Sequence, residues 1–384
     1  MLLATLIHRA SLPCPQVGPD PAARLLEQHY GLGGALQSLG SQQDLNYRID
    51  SDRGRFVLKI CRGDYAAVEL QAQHAALKHL QEHSNVRVPK VIKSLGGEDL
   101  LTETVAGHTV HLRLLDYIDG QPLTHVPHLG REVIAGFGEL CGRMSLALAG
   151  FEHPGLERTL QWDPRHALEL ITHLLSTLEN LPQRAALEQV AEQVARRVPP
   201  LADHLPWQAV HMDITDDNVV WQRDAQRHWQ VQGVIDFGDL VRTWRIADLS
   251  VTCAALLHHA EGDPFAILPA IQAFHAITAL QHEELQVLWP LIVARAAVLV
   301  LSSEQQQSLD PDNAYLLKNA EHEWEIFHVA TSVPFELMEA AILGCVGAQL
   351  PPIAGEGFAP LLPGLVGREF ALIDLGVLSP HFEA

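Results

Sequence analysis

Basic residues are scarce in this chain of 384: 26 lysines and arginines stand against 46 acidic residues, a formal charge of −20. No basic tract or aromatic–basic ladder offsets that field, so neither nucleic acid nor an anionic membrane is expected as a partner. Cysteine is sparse too. The five (Cys14, Cys61, Cys141, Cys253 and Cys345) are scattered and form no C-x-x-C pair, as expected of reduced thiols in a cytoplasmic protein. No long apolar run is uninterrupted: residues 285–303 are broken by Pro290 and Arg295 and read as a buried helix rather than a membrane span. The opening segment lacks the basic start of a signal peptide. G-x-S-x-G and the P-loop are absent, which removes serine-hydrolase and Walker-type chemistry. The 22 histidines show no ligand spacing, so no zinc site is expected.

What is present lies in two short stretches. VHMDITDDNVVW (210–221) contains H-x-D-x4-N in His211, Asp213 and Asn218, and VIDFGD (234–239) follows it. That spacing and order are those of the catalytic and metal loops that phosphoryl transfer from ATP requires. The transition state is loose and highly charged, so the protein must hold Mg2+ on the phosphates and set one carboxylate beside the attacking hydroxyl. Asp213 is the candidate base, and Asn218 and Asp236 are the candidate metal ligands, since Mg2+ prefers a few hard oxygen donors. Alone, the cluster Asp213, Asp216, Asp217 reads equally as a solvated turn; the second loop, also behind an apolar strand, argues against that.

Upstream, Lys59 in the apolar strand FVLKI needs an anionic partner, and nucleotide phosphate fits. Glu69, ten residues on, is the only acid between Asp64 and Glu82 and is its expected ion-pair partner. Gly40 and Ser41, in LGSQQDLN, are candidates for the phosphate-covering loop. The adenine is expected at backbone groups near Leu115 and Tyr117. His211 is expected to brace the catalytic loop by hydrogen bonding, and Asp248 to anchor it from a helix start.

The wider pattern is α+β and bilobal. Residues 1–23 read as an arm and 24–116 as a strand-rich nucleotide-binding lobe with one main helix, capped by Asp64. Residues 117–346 read as a hinge and a helical lobe carrying both loops, and 347–384 as a Pro/Gly-rich tail or linker. With 47% hydrophobic residues, both lobes have material for a core.

Together these residues resemble the aminoglycoside phosphotransferase and choline kinase-like superfamily, and within it the hydroxylysine kinases. HMDITDDN matches the family's H-G-D-x4-N, with Met212 where glycine is usual, and GVIDFGD matches directly. HLRLLDYIDGQPL, Trp162–Asp163, Arg295, Ser302 and residues 309–324 are similar to further family segments. The resemblance implies a protein kinase-like fold, ATP and Mg2+ as cosubstrates, and a small acceptor carrying a hydroxyl and an amine. Asp239 and Asp163 are candidates to bind the ammonium, and Trp162 or Trp244 to stack on it. Relatives of this type occur joined to a pyridoxal-phosphate lyase, an arrangement the tail would suit. An aminoglycoside kinase and a non-catalytic nucleotide-binding regulator are the rival readings, the latter resting on Met212.

Overall fold

The computed structural model describes residues 15–40, 44–178, 183–309 and 314–348. A period of two organises its first part. In β3 (Gly54–Arg62), Leu58 and Ile60 are fully buried on one face, and β6 (His108–Asp116) sets Leu112 and Leu114 beside them. β1 (Ala35–Leu39), β2 (Leu45–Ser51), β3, β6 and β4 (Val91–Ile92) follow in that order across an antiparallel sheet, with β5 (Leu101–Val105) also on β6. β5 is not evident in the sequence, because its five residues alternate only weakly.

The apolar face is covered by α1 (Pro19–Tyr30), which buries Ala22, Leu26 and Tyr30. Burying a leucine-sized side chain contributes about 2 kcal/mol, so α1 belongs to this core. It starts inside the expected arm: Pro19 suits a first helical turn, and Asp20 complements the positive helix end. The opposite face carries Lys59 and Arg113, cross-strand neighbours that are 5% and 2% exposed. Two buried cations side by side demand an anion, and this face borders the cleft.

α2 (Ala67–His83) follows β3. Asp64, the expected N-cap, instead pairs with Arg62 at 3.4 Å, and Ala66 holds the cap position without a side-chain bond.

The second part is helical: α3 (Arg131–Leu148), α4 (Ala167–Thr177), α5 (Arg184–Arg197), α6 (Ala247–Leu256), α7 (Leu268–Ile277), α8 (His282–Leu309), α9 (Ala314–Thr331) and α10 (Phe335–Cys345). α8 runs through the middle of one shared core; Trp289 within it is fully buried. By length and composition α8 could cross a membrane, but 83% of its apolar window is buried inside the fold, as befits a core helix. α3 and α7 touch at backbone distance: a Cβ on Gly138 would sit 1.9 Å from the Ala270 carbonyl oxygen.

Two small sheets interrupt the helices. β7 (Trp207–Val210) pairs with β10 (Val241–Trp244), and β8 (Val219–Arg223) with β9 (Trp229–Val234). The loop 211–218 therefore leaves β7 and enters β8, while 235–240 joins β9 to β10, which brings both to one edge. Beyond Ala348 the expected tail lies outside the described residues.

Candidate active site

Both loops make turns of their own, with Asn218 N on Thr215 O at 3.1 Å and Gly238 N on Asp236 Oδ1 at 3.0 Å, and buried polar groups hold them besides. The Asp248 carboxylate, fully buried at the start of α6, accepts the backbone N–H of His211 (3.2 Å) and of Met212 (2.6 Å). Burial pushes its pKa up to about 6, against the pull of those two donors. Thr252, one turn on, donates to the Ile214 carbonyl at 2.8 Å.

His211 joins the loops. Its Nδ1 accepts from Asp213 N at 3.2 Å, so Nε2 carries the proton and donates to Ile235 O at 3.1 Å. Complete burial lowers its pKa to about 4, despite the Asp236 charge, so the ring stays neutral and cannot act as an acid near pH 7. Its ring meets Phe237 edge-on at 4.5 Å, and Ile235 N donates to Asn218 O at 2.9 Å.

Met212 has φ +72° and no exposed surface. This left-handed turn is where glycine costs nothing. Here the methionine is retained by packing with Leu160, Val210, Val241 and Val251.

The candidate base and metal ligands converge. Asn218 Nδ2 donates to Asp213 Oδ2 at 2.6 Å and to Asp213 O at 3.1 Å, which turns Asn218 Oδ1 outward as a neutral oxygen donor. Asp236, at φ +57°, accepts from Gly238 N (3.0 Å) and Lys59 Nζ (3.1 Å) on Oδ1. Burial alone would raise its pKa, but Lys59, Arg113 and the Gly238 amide hold it at about 2. A permanently ionised carboxylate beside an amide oxygen is a hard, oxygen-only donor set that fits Mg2+.

Asp213 is half-buried. Its carboxyl is pushed up to about 8 by burial and by the carboxylates of Asp239, Asp236 and Asp217, with Arg295 acting the other way. The cleft thus concentrates more negative charge than it can keep ionised, which favours any cation brought there.

Lys59 and Glu69 both face this region, with partners other than the expected ones. The ion pair of Lys59 is with Asp236; Glu69 pairs with Arg158 at 3.1 Å, and Arg158 also donates to the Gly238 carbonyl. Arg158 therefore ties α2 to the metal loop. Sequence reasoning singles out neither Arg158 nor Arg113. The register of Arg113 opposite Lys59 is the available signal; nothing local marks Arg158.

Other candidates fall elsewhere. Gly40 is exposed with open space around it, and Ser41 lies outside the described residues. Leu115 is flanked by Val57 and Val91 in the sheet, and Tyr117 N is already donated to Arg55 O at 3.1 Å. Their N–H groups therefore do not face the cleft, and the Tyr117 ring instead packs under the guanidinium groups of Arg48 and Arg55.

Asp163 has no exposed surface and is saturated by Arg165 and Thr243 (2.8 Å), so it does not bind an ammonium. Trp244 is 6% exposed and packs in the core. Trp162 is half-buried, and a cation of this chain, Arg295, lies over its ring at 4.7 Å. Asp239 lies within electrostatic reach of Asp213 and helps raise its carboxyl.

Comparison with known proteins shows the family and the fold. The chain is 24% identical over 336 residues to a hydroxylysine kinase of Xenopus laevis, covering 81% of this chain and 89% of the relative. The fold is similar to the structure of a microcompartment-associated aminopropanol kinase, with a TM-score of 0.65, 16% identity and coverage of 81% and 96% of the two chains. It is also similar to an amicoumacin kinase in complex with AMP-PNP, Ca2+ and Ami, with a TM-score of 0.61, 16% identity and coverage of 84% and 97%. Residues 35–285, which hold both loops and the Lys59 strand, match the family model itself, and the chain belongs to the phosphotransferase enzyme family.

Proposed function

We propose that this phosphotransferase moves the γ-phosphate of ATP to the hydroxyl of a small amino acid of the hydroxylysine kind. The observation that carries the transfer chemistry is the convergence of Asp213, Asn218, Asp236 and Lys59 at one edge of the cleft. Asp236 and Asn218 would hold Mg2+, which would neutralise phosphate charge and fix the transferred group for in-line attack.

Lys59 then has two anions to serve: it steadies the Asp236 carboxylate and meets the α- and β-phosphates. Arg113, buried behind it, keeps this wall positive. Asp213, ionised once bound cations offset the neighbouring carboxylates that raise it, accepts the hydrogen bond of the acceptor hydroxyl, orients its oxygen towards phosphorus and takes its proton as the new O–P bond forms and the bond to the ADP oxygen breaks. Asn218, by donating to Asp213 Oδ2, fixes which carboxylate oxygen is left for that proton. Met212 does not argue for a silent relative, because its backbone takes the left-handed turn a glycine there would take.

The acceptor class is supported by groups behind Asp213. Arg295 stacks on Trp162 and lies within electrostatic reach of Asp213, Asp239 and Glu323, yet its Nη1 is buried without a hydrogen-bond partner. Glu323 Oε2 is buried and unpartnered in the same way, and burial pushes that carboxyl up to about 7. Gln161 Oε1, lining a recess with Trp162 and Arg295, is a third unpartnered atom. Buried polar atoms without partners are costly, and a zwitterion would satisfy them: carboxylate to Arg295, ammonium to Asp239 or Glu323.

The reading is tested by following phosphorus transfer to hydroxylysine and to the matched amino alcohol that lacks its carboxylate. Transfer to the amino acid, lost in Asp213→Asn while ATP still binds, is the expected result. Equal use of both acceptors would remove the carboxylate from the reading, and transfer undiminished in Asp213→Asn would remove the base.

A further inference from the structure

At the middle of the catalytic loop a second polar cluster has no part in the chemistry above. Asp216 sits midway between Asp213 and Asn218 and is 5% exposed. Its Oδ2 faces two imidazoles from the turn that ends α6: His259 Nε2 at 3.3 Å and His258 Nε2 at 3.8 Å, with side chains 0% and 9% exposed. The three atoms all lie within 4.8 Å of one another.

Each ring is held from its far nitrogen. His259 Nδ1 bonds to the Val126 carbonyl at 2.7 Å and His258 Nδ1 to the Ala255 carbonyl at 2.9 Å. A carbonyl only accepts, so both Nδ1 atoms carry protons, and in the neutral rings both Nε2 atoms are bare lone pairs. His258 Nε2 has no hydrogen-bond partner although it is buried. Two imidazole nitrogens and a carboxylate oxygen thus converge; a proton on His259 Nε2 would serve its contact with Asp216 but would leave His258 Nε2 unpartnered, whereas a cation at the centre would serve all three. On the far side His322, from α9, packs its ring edge-on against His258 at 4.1 Å.

We propose that Asp216, His258 and His259 bind a divalent transition ion, zinc in the first instance, at a site separate from the ATP-bound metal. Ligands about 2.0–2.1 Å from a tetrahedral ion stand about 3.3 Å apart, close to the 3.3 and 3.8 Å from the two imidazoles to Asp216 Oδ2. Imidazole nitrogens select zinc, cobalt or nickel over magnesium. The backbone carbonyls on both Nδ1 atoms are the outer partners such ligands commonly have; they fix the tautomer and aim the ring. The ion would pin the middle of the catalytic loop to the end of α6 and, through the Asp216 carbonyl that accepts Leu123 N at 2.9 Å, to the chain after the hinge. The sequence hid this site, because two adjacent histidines and an aspartate more than forty residues earlier form no ligand spacing.

The test is metal content and binding in the full chain. Metal-stripped protein is titrated with Zn2+ by calorimetry and with Co2+ by visible absorption, for wild type, His258→Gln, His259→Gln and Asp236→Asn. The expected result is one equivalent per chain, with a four-coordinate Co2+ spectrum. Both histidine variants should lose affinity by on the order of a hundredfold, and Asp236→Asn should be unaffected. A rise in melting temperature with Zn2+ in wild type, absent in the histidine variants, gives a second readout. Loss in Asp236→Asn alone, binding unchanged in both histidine variants, or no Zn2+ or Co2+ binding by wild type would overturn the proposal. The wild-type titration decides this last point even if a variant fails to fold.

Discussion

The two walls of the cleft are built differently. On the wall proposed to meet the phosphates, short loops carry the candidate base and metal ligands and are braced from behind: Asp248 holds two N–H groups, His211 bridges the loops, and Asn218 clamps Asp213. On the wall proposed to meet the acceptor, Arg295, Glu323 and Gln161 come from distant segments and keep buried polar atoms unpartnered. The loops of the first wall are hydrogen-bonded to one another, although Arg113 Nε and Arg158 Nε beside them are also unpartnered, and in the proposed reading the second wall is completed by its ligand. One consequence is that changes to the first should affect turnover and stability, while changes to the second should affect acceptor choice.

The largest effect is expected at Asp213. Asp213→Asn should lower kcat by about 10²–10⁴-fold, the usual worth of a positioned base, with ATP affinity nearly unchanged; single-turnover kinetics and calorimetry separate the two.

Asp248→Ala comes next and strikes the brace rather than the chemistry. It orphans two buried N–H groups, so stability should fall by about 2–5 kcal/mol in urea unfolding, with Asp248→Asn intermediate.

Arg295→Met tests the other wall. The KM for a hydroxylated amino acid should rise by about 10–100-fold, and that for the decarboxylated amino alcohol should change little. A uniform loss for both acceptors would erase the contrast between the walls.

A smaller effect lies outside both walls. Burial and the nearby Arg113 charge lower the His74 pKa from 6.5 to about 4. A depressed histidine contributes stability that is complete above pH 6.5 and lost as pH falls towards 4. Its worth is at most about 3 kcal/mol. His74→Gln should therefore flatten the melting temperature between pH 6.5 and 4 relative to wild type.

The smallest net change is expected for Met212→Gly. It relieves a left-handed φ, worth about 1 kcal/mol, but removes a buried side chain worth about 2–4 kcal/mol. The protein should be modestly less stable and fully active.

The same contrast explains what the sequence revealed. In the wall proposed to meet the phosphates, the two loops were legible because H-x-D-x4-N and D-F-G lie close together in the sequence, and Lys59, 177 residues before Asp236, because it is a cation in an apolar strand. The acceptor wall was not, since its contacts depend on how α8 and α9 pack. Asp163 and Trp244 look available in the sequence, but the fold uses both for itself: Asp163 is taken by Arg165 and Thr243, and Trp244 by the helical core. Arg158 is legible only in three dimensions, because its partners are about eighty residues away on either side. In the fold, helices of the second half were readable from three- and four-residue spacing. β5 and α1 were not, being a short strand and a helix in a proline-containing segment.

The most direct measurement is ADP release with Mg2+ across hydroxylated amino acids, their amino alcohols and aminoglycosides, for wild type and Asp213→Ala. Release that depends on a hydroxylated amino acid and disappears in the variant is the predicted result. Release with every acceptor class alike, or persisting in Asp213→Ala, would contradict the account.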